Sequence, residues 1–549
     1  MSNRLALAQT LPADVLRLIL KWVVHEKRSP LFGNSLQVRH LKELQYVSST
    51  WRQQALEFLW RQLKFVVDDT NGQVRLNCQR WVKNKGLPNN ATNLVREIHV
   101  RVTLRGIISG GAHKLLNEFI GDTKCFPLAN KVVVRVTDYK DLHIQFGDSA
   151  VANALEFAKL LKSIAPAATS VDVTSNGGSS ESSSLQEMNG RDAPMRDSNE
   201  EALMIFANAL YTNTKHASLN VFALEIQNLS TIDYSPLLTF LKIDCEKSSN
   251  LCTNLVLKSA STLRYLNVRI RDASMLLNDG NRGIVVYPNL QYLLMLARNR
   301  SHYDAQDNLS AVVPFPALRG LVLYSVYPFY DDVLLRGNSA TLEYLNFRLE
   351  HDTITMLHQR RVFESKQKVL RHVFVRGDAN NRNLSLVAEA TMSRFLSSLA
   401  SAAKKLSLSD PELISACIIA AQHGQGFQSV RMFVADGVNM ALAEVFRLLK
   451  ALPVLTSFSG AISGLGSELE RVSVEELPDY VASTYGNVGK KLQIWSINSF
   501  IGHDGALFTD CALLLALACP KLDRVKNIGN TAQNHRASVS KALESKPYS

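Results

Sequence analysis

The sequence predicts an α/β solenoid, a curved parallel sheet with helices on its back, preceded by a small all-α module. Three observations lead there. An apolar pattern, Leu-x-x-Leu-x-Leu, recurs from Leu263 to Leu370 in steps of 24 to 28 residues, with weaker copies further on. Pro-x-Leu leads into several of its copies. The start of the chain instead spaces its apolar residues three and four apart, the period of a helix.

The helical stretch runs from Leu11 to Phe65, within a module assigned to residues 1–66. Pro12 stands near a helix start, where its missing N–H costs nothing, and Asp14 favours the positive end of the dipole. Val15, Leu16, Ile19, Leu20 and Val23 form one apolar stripe. Pro30, Gly33 and Asn34 break the helix, and a second helical region follows with Leu41, Leu44, Val47, Trp51, Ala55 and Leu59 on its apolar side. So few core positions make a marginal core, and the module is expected to bury apolar surface against something else.

Its ordered residues, Leu11-Pro12, the run from Val15 to Leu20, Val47 with Trp51-Arg52, and Leu59-Trp60, resemble an F-box. The stretch from His25 to Val38 is longer than the turn usual in that family. The resemblance implies docking onto the Skp adaptor subunit of a cullin-RING ubiquitin ligase. Leu11, Pro12, Val15, Leu16, Ile19, Leu20, Val47 and Trp51 would then be the adaptor-binding residues.

The repeat is visible from internal spacing alone. Its best copies begin at Leu263, Leu290, Leu318, Leu342 and Leu370, with weaker ones at Val430, Leu455, Leu492 and Leu522. Pro288, Pro316, Pro453 and Pro520 precede four of them. Segments from Leu94, Lys131 and Leu219 read as irregular early repeats, so residues 67–250 are assigned to those and 251–530 to the array. One such unit cannot bury its apolar face, whereas stacked units can. The pattern resembles the leucine-rich repeat, although most copies lack the Asn or Cys usual after the strand, where Arg269 or Tyr324 stands nearby.

In this register the third and fifth positions after the first Leu, counting that Leu as zero, point into the core. The second, fourth and sixth then face the open side of the sheet. They bring out Tyr265, Arg269, Tyr292, Tyr324, Tyr344, Arg348, Phe374 and Arg376, which together have the makeup of a protein-binding patch. Arg348 and Arg376 would stand side by side, which favours an acidic or phosphorylated client.

Composition narrows the remaining classes. At 46% hydrophobic and 20% charged, the 549 residues hold enough apolar material for a long array. Thr174 to Glu200 is Ser- and Gly-rich and is expected to be a disordered insertion; residues 531–549 read as a flexible tail. The apolar run from Cys511 to Cys519 is about half the length of a membrane span, and the start lacks a signal-peptide layout. A cytoplasmic or nuclear protein without membrane contact is therefore expected, and its four sequons (Asn90, Asn228, Asn308, Asn383) are chance matches.

Seven cysteines at wide spacing form no metal motif, and nothing asks for a cofactor. Gly106–Gly111 and Gly460–Gly466 match neither a phosphate loop nor a nucleophile elbow and read as turns; His503-Asp504 reads as a repeat loop. A formal charge of +12 permits nucleic acid, but the basic residues are scattered in sequence. A non-enzymatic adaptor of an SCF-type ligase is the expectation. A repeat scaffold unconnected to ubiquitin transfer is its rival, and a nucleic-acid-binding repeat protein the weaker one.

Overall fold

In the computed structural model the described residues are 11–26, 46–76, 92–121, 125–137, 149–175, 205–207, 209–211, 214–220, 238–244, 255–270, 274–277, 285–297, 313–324, 341–349, 370–377, 389–424, 427–473, 475–485, 488–500, 511, 514–515, 517–519, 521–522 and 524–527. They divide into two compact units, with the boundary inside residues 264–270. Most of the expected insertion, the tail, the four sequons, Leu41, Leu44 and His503-Asp504 lie outside the described residues. Thr174 and Ser175, the first two residues of that insertion, instead end a strand.

The first unit opens with two helices, α1 (Ala13–Glu26) and α2 (Ser49–Trp60). The Pro12 carbonyl accepts the first helical bond from Leu16 N at 3.0 Å, so the proline stands at the cap. Ser48 caps α2 by accepting from Trp51 N at 3.3 Å, which leaves Val47 just outside the helix and not within it. After α2 the chain turns directly into β1 (Gln62–Asp68), which pairs antiparallel with β2 (Gln73–Leu76). On its other side β1 starts a parallel series with β3 (Glu97–Thr103), β4 (Lys131–Thr137), β5 (Ser170–Ser175), β6 (His216–Asn220) and β7 (Phe240–Asp244). Helices α3 (Leu104–Ile108), α4 (Gly111–Ile120) and α5 (Ser149–Ile164) connect early strands of this unit. Strand β8 (Tyr265–Ile270) holds the boundary between the units.

In the second unit each strand is parallel to the next. The series is β9 (Tyr292–Ala297), β10 (Gly320–Leu323), β11 (Tyr344–Leu349), β12 (His372–Gly377) and β13 (Lys405–Leu408). It continues through β14 (Met432–Ala441), β15 (Ser457–Gly464), β16 (Ile494–Phe500) and β17 (Arg524–Asn527). Helices α6 (Glu389–Ala400), α7 (Pro411–Gln422), α8 (Leu442–Ala451) and α9 (Leu477–Tyr485) carry the later return segments, and α7 and α8 pack on β14. One strand per repeat, paired in chain order with helical returns, is the α/β leucine-rich-repeat architecture.

A single register runs through both units. Every strand except β2 begins two residues after an anchor residue, from Trp60 before β1 to Leu522 before β17. The anchor's N–H closes a tight turn onto the carbonyl three residues back. That bond measures 3.0 to 3.3 Å at Ala129, Thr214, Leu290, Leu318, Ala403, Val430, Leu455 and Leu522. The accepting residue is itself buried: Phe126, Tyr211, Tyr287, Phe315, Ala400, Phe427, Leu452 and Cys519. Proline follows several of these residues because its fixed φ suits the second position of such a turn. Pro-x-Leu is therefore the last three residues of a four-residue device whose first member, an apolar residue before the proline, is a core residue.

Past the anchor, two successive N–H groups converge on one carbonyl of the preceding repeat. Gln291 N and Tyr292 N donate to Arg264 O at 2.8 and 3.1 Å. The same fork repeats onto Gln291, Arg319, Glu343, Arg371, Lys404, Arg431 and Thr456. No backbone donor at the strand entrances of this series is left for side chains to satisfy, whatever residue stands there.

This register shows why some repeats escaped the sequence pattern. The strand that follows β12, the one anchored at Leu370, is β13, whose anchor is Ala403, so a leucine-based pattern steps over it to Val430. Alanine at 168 hides the β5 repeat in the same way, whereas the β4 and β6 repeats, anchored by Ala129 and Thr214, show only through the apolar residues of their strands. The early repeat assigned from Leu94 has its anchor at Val95, which is buried, and β6 begins at His216, ahead of Leu219.

The inward positions make a continuous apolar interior. Leu293 and Met295, Leu321 and Leu323, Leu345 and Phe347, Val373 and Val375, and Leu406 and Leu408 are all buried. Tyr287 and Phe315 stack at 5.1 Å between ring centroids, and Phe347 meets Phe395 of α6 edge to face. The Tyr287 hydroxyl donates to the Leu276 carbonyl at 2.8 Å inside this core.

Leu345→Ala is expected to lower stability by about 2–5 kcal/mol, read from the urea unfolding midpoint, because well-packed core leucines leave cavities. Tyr287→Phe should cost about 1–2 kcal/mol by orphaning a buried carbonyl. Burial also drives the Tyr287 hydroxyl far above the ordinary tyrosine value. Its contribution is therefore fully present below about pH 10, the unfolded-state value, and is lost as pH rises beyond it. Wild-type protein should lose stability in alkali more steeply than Tyr287→Phe.

Candidate binding faces

Two surfaces carry the residues singled out from sequence, one on the helical module and one on the strands of the repeats. On the helical module, Leu16 and Leu20 of α1 meet Trp51 of α2 in a small buried cluster, with Leu11, Ile19, Val47 and Phe58 packed around it. The inward side of α1, Leu16 and Leu20, is thus used within the module. Leu16, Leu20 and Trp51 hold its two helices together and offer a partner no surface. Arg17 ties the same helices from outside, donating from Nε to the buried Gln54 Oε1 at 2.8 Å and lying 3.5 Å from Glu57.

What remains outward on α1 is a second, narrower apolar line. Pro12 and Val15 are exposed, Val15 at 40%, and Leu18 is exposed at 67%, with half-buried Ile19 beside it. These positions lie three and four residues apart, so they share a face. Leu18 had escaped the candidate set because a search for the longest apolar stripe finds the inward side, and a lone leucine out of phase carries no periodic signal.

The second surface is the open face of the repeat sheet. Pairing places Tyr292, Gly320, Tyr344, His372 and Lys405 in one row across β9 to β13, and Leu294, Val322, Asn346, Phe374 and Ser407 in the next. Arg348 and Arg376 are direct partners in a third row, Arg376 exposed and Arg348 half-buried. Tyr324 and Tyr292 are exposed. Tyr265 and Arg269 lie at alternate positions of β8 and are half-buried.

These side chains touch. Tyr344 lies 5.4 Å from Phe374 and 6.4 Å, edge to face, from His372, and the Lys405 Nζ stands over the Phe374 ring at 4.9 Å. The Tyr292 ring lies over Gly320, where an added Cβ would come 2.5 Å from the ring. Glycine at 320 is thus the residue that lets Tyr292 lie flat against the sheet. His372 is held below the ordinary histidine value, first by burial and then by Lys405 and Arg371. The local field is positive.

Other candidates take structural places. Ser109 and Gly110 form the link between α3 and α4, with Gly110 at φ +77° and its space closed by Asn153. Asn153 Nδ2 donates to the Ile108 carbonyl at 2.8 Å. Gly460 lies inside β15 against Phe458, and Gly466 at φ +90° packs on Ala441 at the start of α8. Among the described residues no group of three or more His, Cys, Asp or Glu is placed to hold a metal ion. Cys125 and Cys417 are free thiols, and burial pushes Cys417 far above the usual thiol value. No described helix is long and apolar enough to cross a membrane.

The contact between Lys405 and Phe374 has a measurable consequence. A double-mutant cycle of Phe374→Leu and Lys405→Met, read by urea unfolding, should give a coupling of about 0.5–1 kcal/mol, the size of a partly solvated cation–π pair. Zero coupling would mean that the ammonium stays in water.

No family model and no curated protein matches this chain. Among solved structures, a leucine-rich-repeat-containing protein, LegL7 from Legionella pneumophila, is similar at 12% identity over 76% of this chain and 91% of that one, with a TM-score of 0.27. The repeat assignment rests on this chain's own strand register and not on that overlap.

Proposed function

We propose that this chain is a non-enzymatic adaptor whose N-terminal helices dock on a Skp-type subunit of a cullin ubiquitin ligase and whose repeat sheet holds a protein client. The observation that supports the ligase half most directly is the outward line Pro12, Val15, Leu18 and Ile19. A module this small has already used one apolar stripe for its own core and still exposes a second, which costs free energy unless a partner covers it. The F-box-like order of residues names the partner. The repeat half needs no chemistry of its own, since a client held beside a ubiquitin donor is modified by proximity. Its place of action would be the cytoplasm or nucleus.

Co-expression of the intact chain with a Skp adaptor tests this reading. A stable complex is expected. Leu18→Asp or Val15→Asp should each weaken it by about 30-fold or more, the effect of losing a hot-spot residue, while the unfolding midpoint stays unchanged. Leu16→Asp, in contrast, should disrupt the module itself and shift its unfolding. No complex with the intact chain would overturn the ligase assignment and leave a repeat scaffold that binds its client through the sheet alone.

A further inference from the structure

The fork of backbone bonds at the strand entrances fixes a column that sequence reading passed over: the residue just after each anchor. In the second unit these residues include Arg319, Arg371, Lys404 and Arg431, all exposed along one edge of the sheet. They belong to the repeats of β10, β12, β13 and β14, which are consecutive except for β11. The first open-face row adds His372 and Lys405 beside them. Glu343, in the β11 repeat, is the one acidic side chain in this column from Arg319 to Arg431. Strands about 4.8 Å apart put neighbouring cations well inside a Debye length of about 8 Å at physiological salt.

Elsewhere the chain sets acids against its bases. Lys131 pairs with Asp172 across β4 and β5 at 2.6 Å, and Arg447 pairs with Glu468. Along this edge Arg371, Lys404, Lys405 and Arg431 have no carboxylate partner among the described residues. His372, whose proton affinity is lowered first by burial, is lowered further by Lys405 and Arg371, with Glu343 acting against them. Like charges on adjacent strands destabilise the free protein, and an anionic occupant removes that cost.

The rings discriminate between kinds of anion. Binding single-stranded nucleic acid relies on free aromatic faces on which bases stack. Here the Phe374 ring is covered by Lys405, and Tyr344 is packed against both Phe374 and His372. These two rings, the ones beside the β12 to β13 cations, are engaged with their neighbours and make an apolar floor next to a row of cations, which suits an extended acidic peptide; the exposed Tyr292 and Tyr324 lie toward the β9 and β10 end of the face.

We propose that the strand-entrance edge of β10 to β14, carried by Arg319, Arg371, Lys404, Lys405 and Arg431, binds an acidic segment of a protein partner lying across the strands. Four strand spacings make about 19 Å, the reach of about six extended residues. This rests on the reading of the repeat sheet as a client-binding surface and supplies the client's chemistry.

The experiment is fluorescence anisotropy of the full chain with a labelled twelve-residue Asp/Glu-rich peptide, in about 50 mM salt, where exposed charges are weakly screened. Saturable binding is expected, with a loss of at least tenfold in the Arg371→Glu, Lys404→Glu, Arg431→Glu triple variant. A milder triple, with glutamine at the same positions, should lose less and guards against misfolding, checked by an unchanged unfolding midpoint. A control triple of equal charge change on exposed helix positions, Lys114→Glu, Arg394→Glu and Lys450→Glu, should bind like wild type. Equal losses in both charge-reversed triples, or no binding by wild type, would overturn the proposal. So would tighter, edge-dependent binding of a single-stranded oligonucleotide, which would make nucleic acid the occupant. Skp co-purification in the edge variants separates the two readings: peptide binding lost with the Skp complex intact locates the effect at the edge alone.

Discussion

The backbone closure at each strand entrance is the constraint on which the rest of this molecule depends. An anchor residue turns its N–H onto a buried residue three positions back, and the next two N–H groups fork onto one carbonyl of the previous repeat. Each buried amide left unpaired would cost about 1–3 kcal/mol, so a chain that satisfies them by backbone alone places no demand on the side chains beside them. Repeats can then vary widely in composition while keeping one register. That tolerance explains why alanine or threonine replaces leucine at several anchors without breaking the series.

The same closure makes the two faces of the sheet unequal. Inward positions must fill the space under the return segments and are apolar and buried from β9 to β14. Outward positions and the entrance edge answer to no packing rule, so what accumulates there reflects other pressures. In this chain that is an interlocked set of Tyr, Phe, His and Lys side chains on the face, with arginines and lysines along the edge. Concentrating like charge where the backbone needs nothing from the side chains leaves the fold intact and the field free to act on a partner.

The helical module solves a different problem with few residues. Its core is a leucine pair and a tryptophan, braced by the Arg17 contacts to Gln54 and Glu57. With so little interior, an exposed Leu18 is a notable cost, and it separates the residues that build the module from those that remain for docking. Spacing alone does not separate the two roles, because Leu16, Leu20 and Trp51 are apolar and correctly placed for either.

Sequence alone determined the repeat and its phase in the second half of the chain, because leucine at most anchors and a large apolar residue at the two inward positions leave a period that survives any outer-face composition. It also determined the alternation, so Tyr292, Tyr344, Phe374 and Arg376 could be assigned to the open face from spacing alone. Only tertiary structure decided where leucine was dispensable. Ala403 and Thr214 serve as anchors because a backbone hydrogen bond, invisible to any hydrophobic pattern, does the work there. It likewise decided which stripe of α1 faces inward and that Arg319, Arg371, Lys404 and Arg431 share an edge. Those four cations are spread over more than a hundred residues of chain, and parallel pairing, one strand per repeat, converts that separation into side-by-side positions.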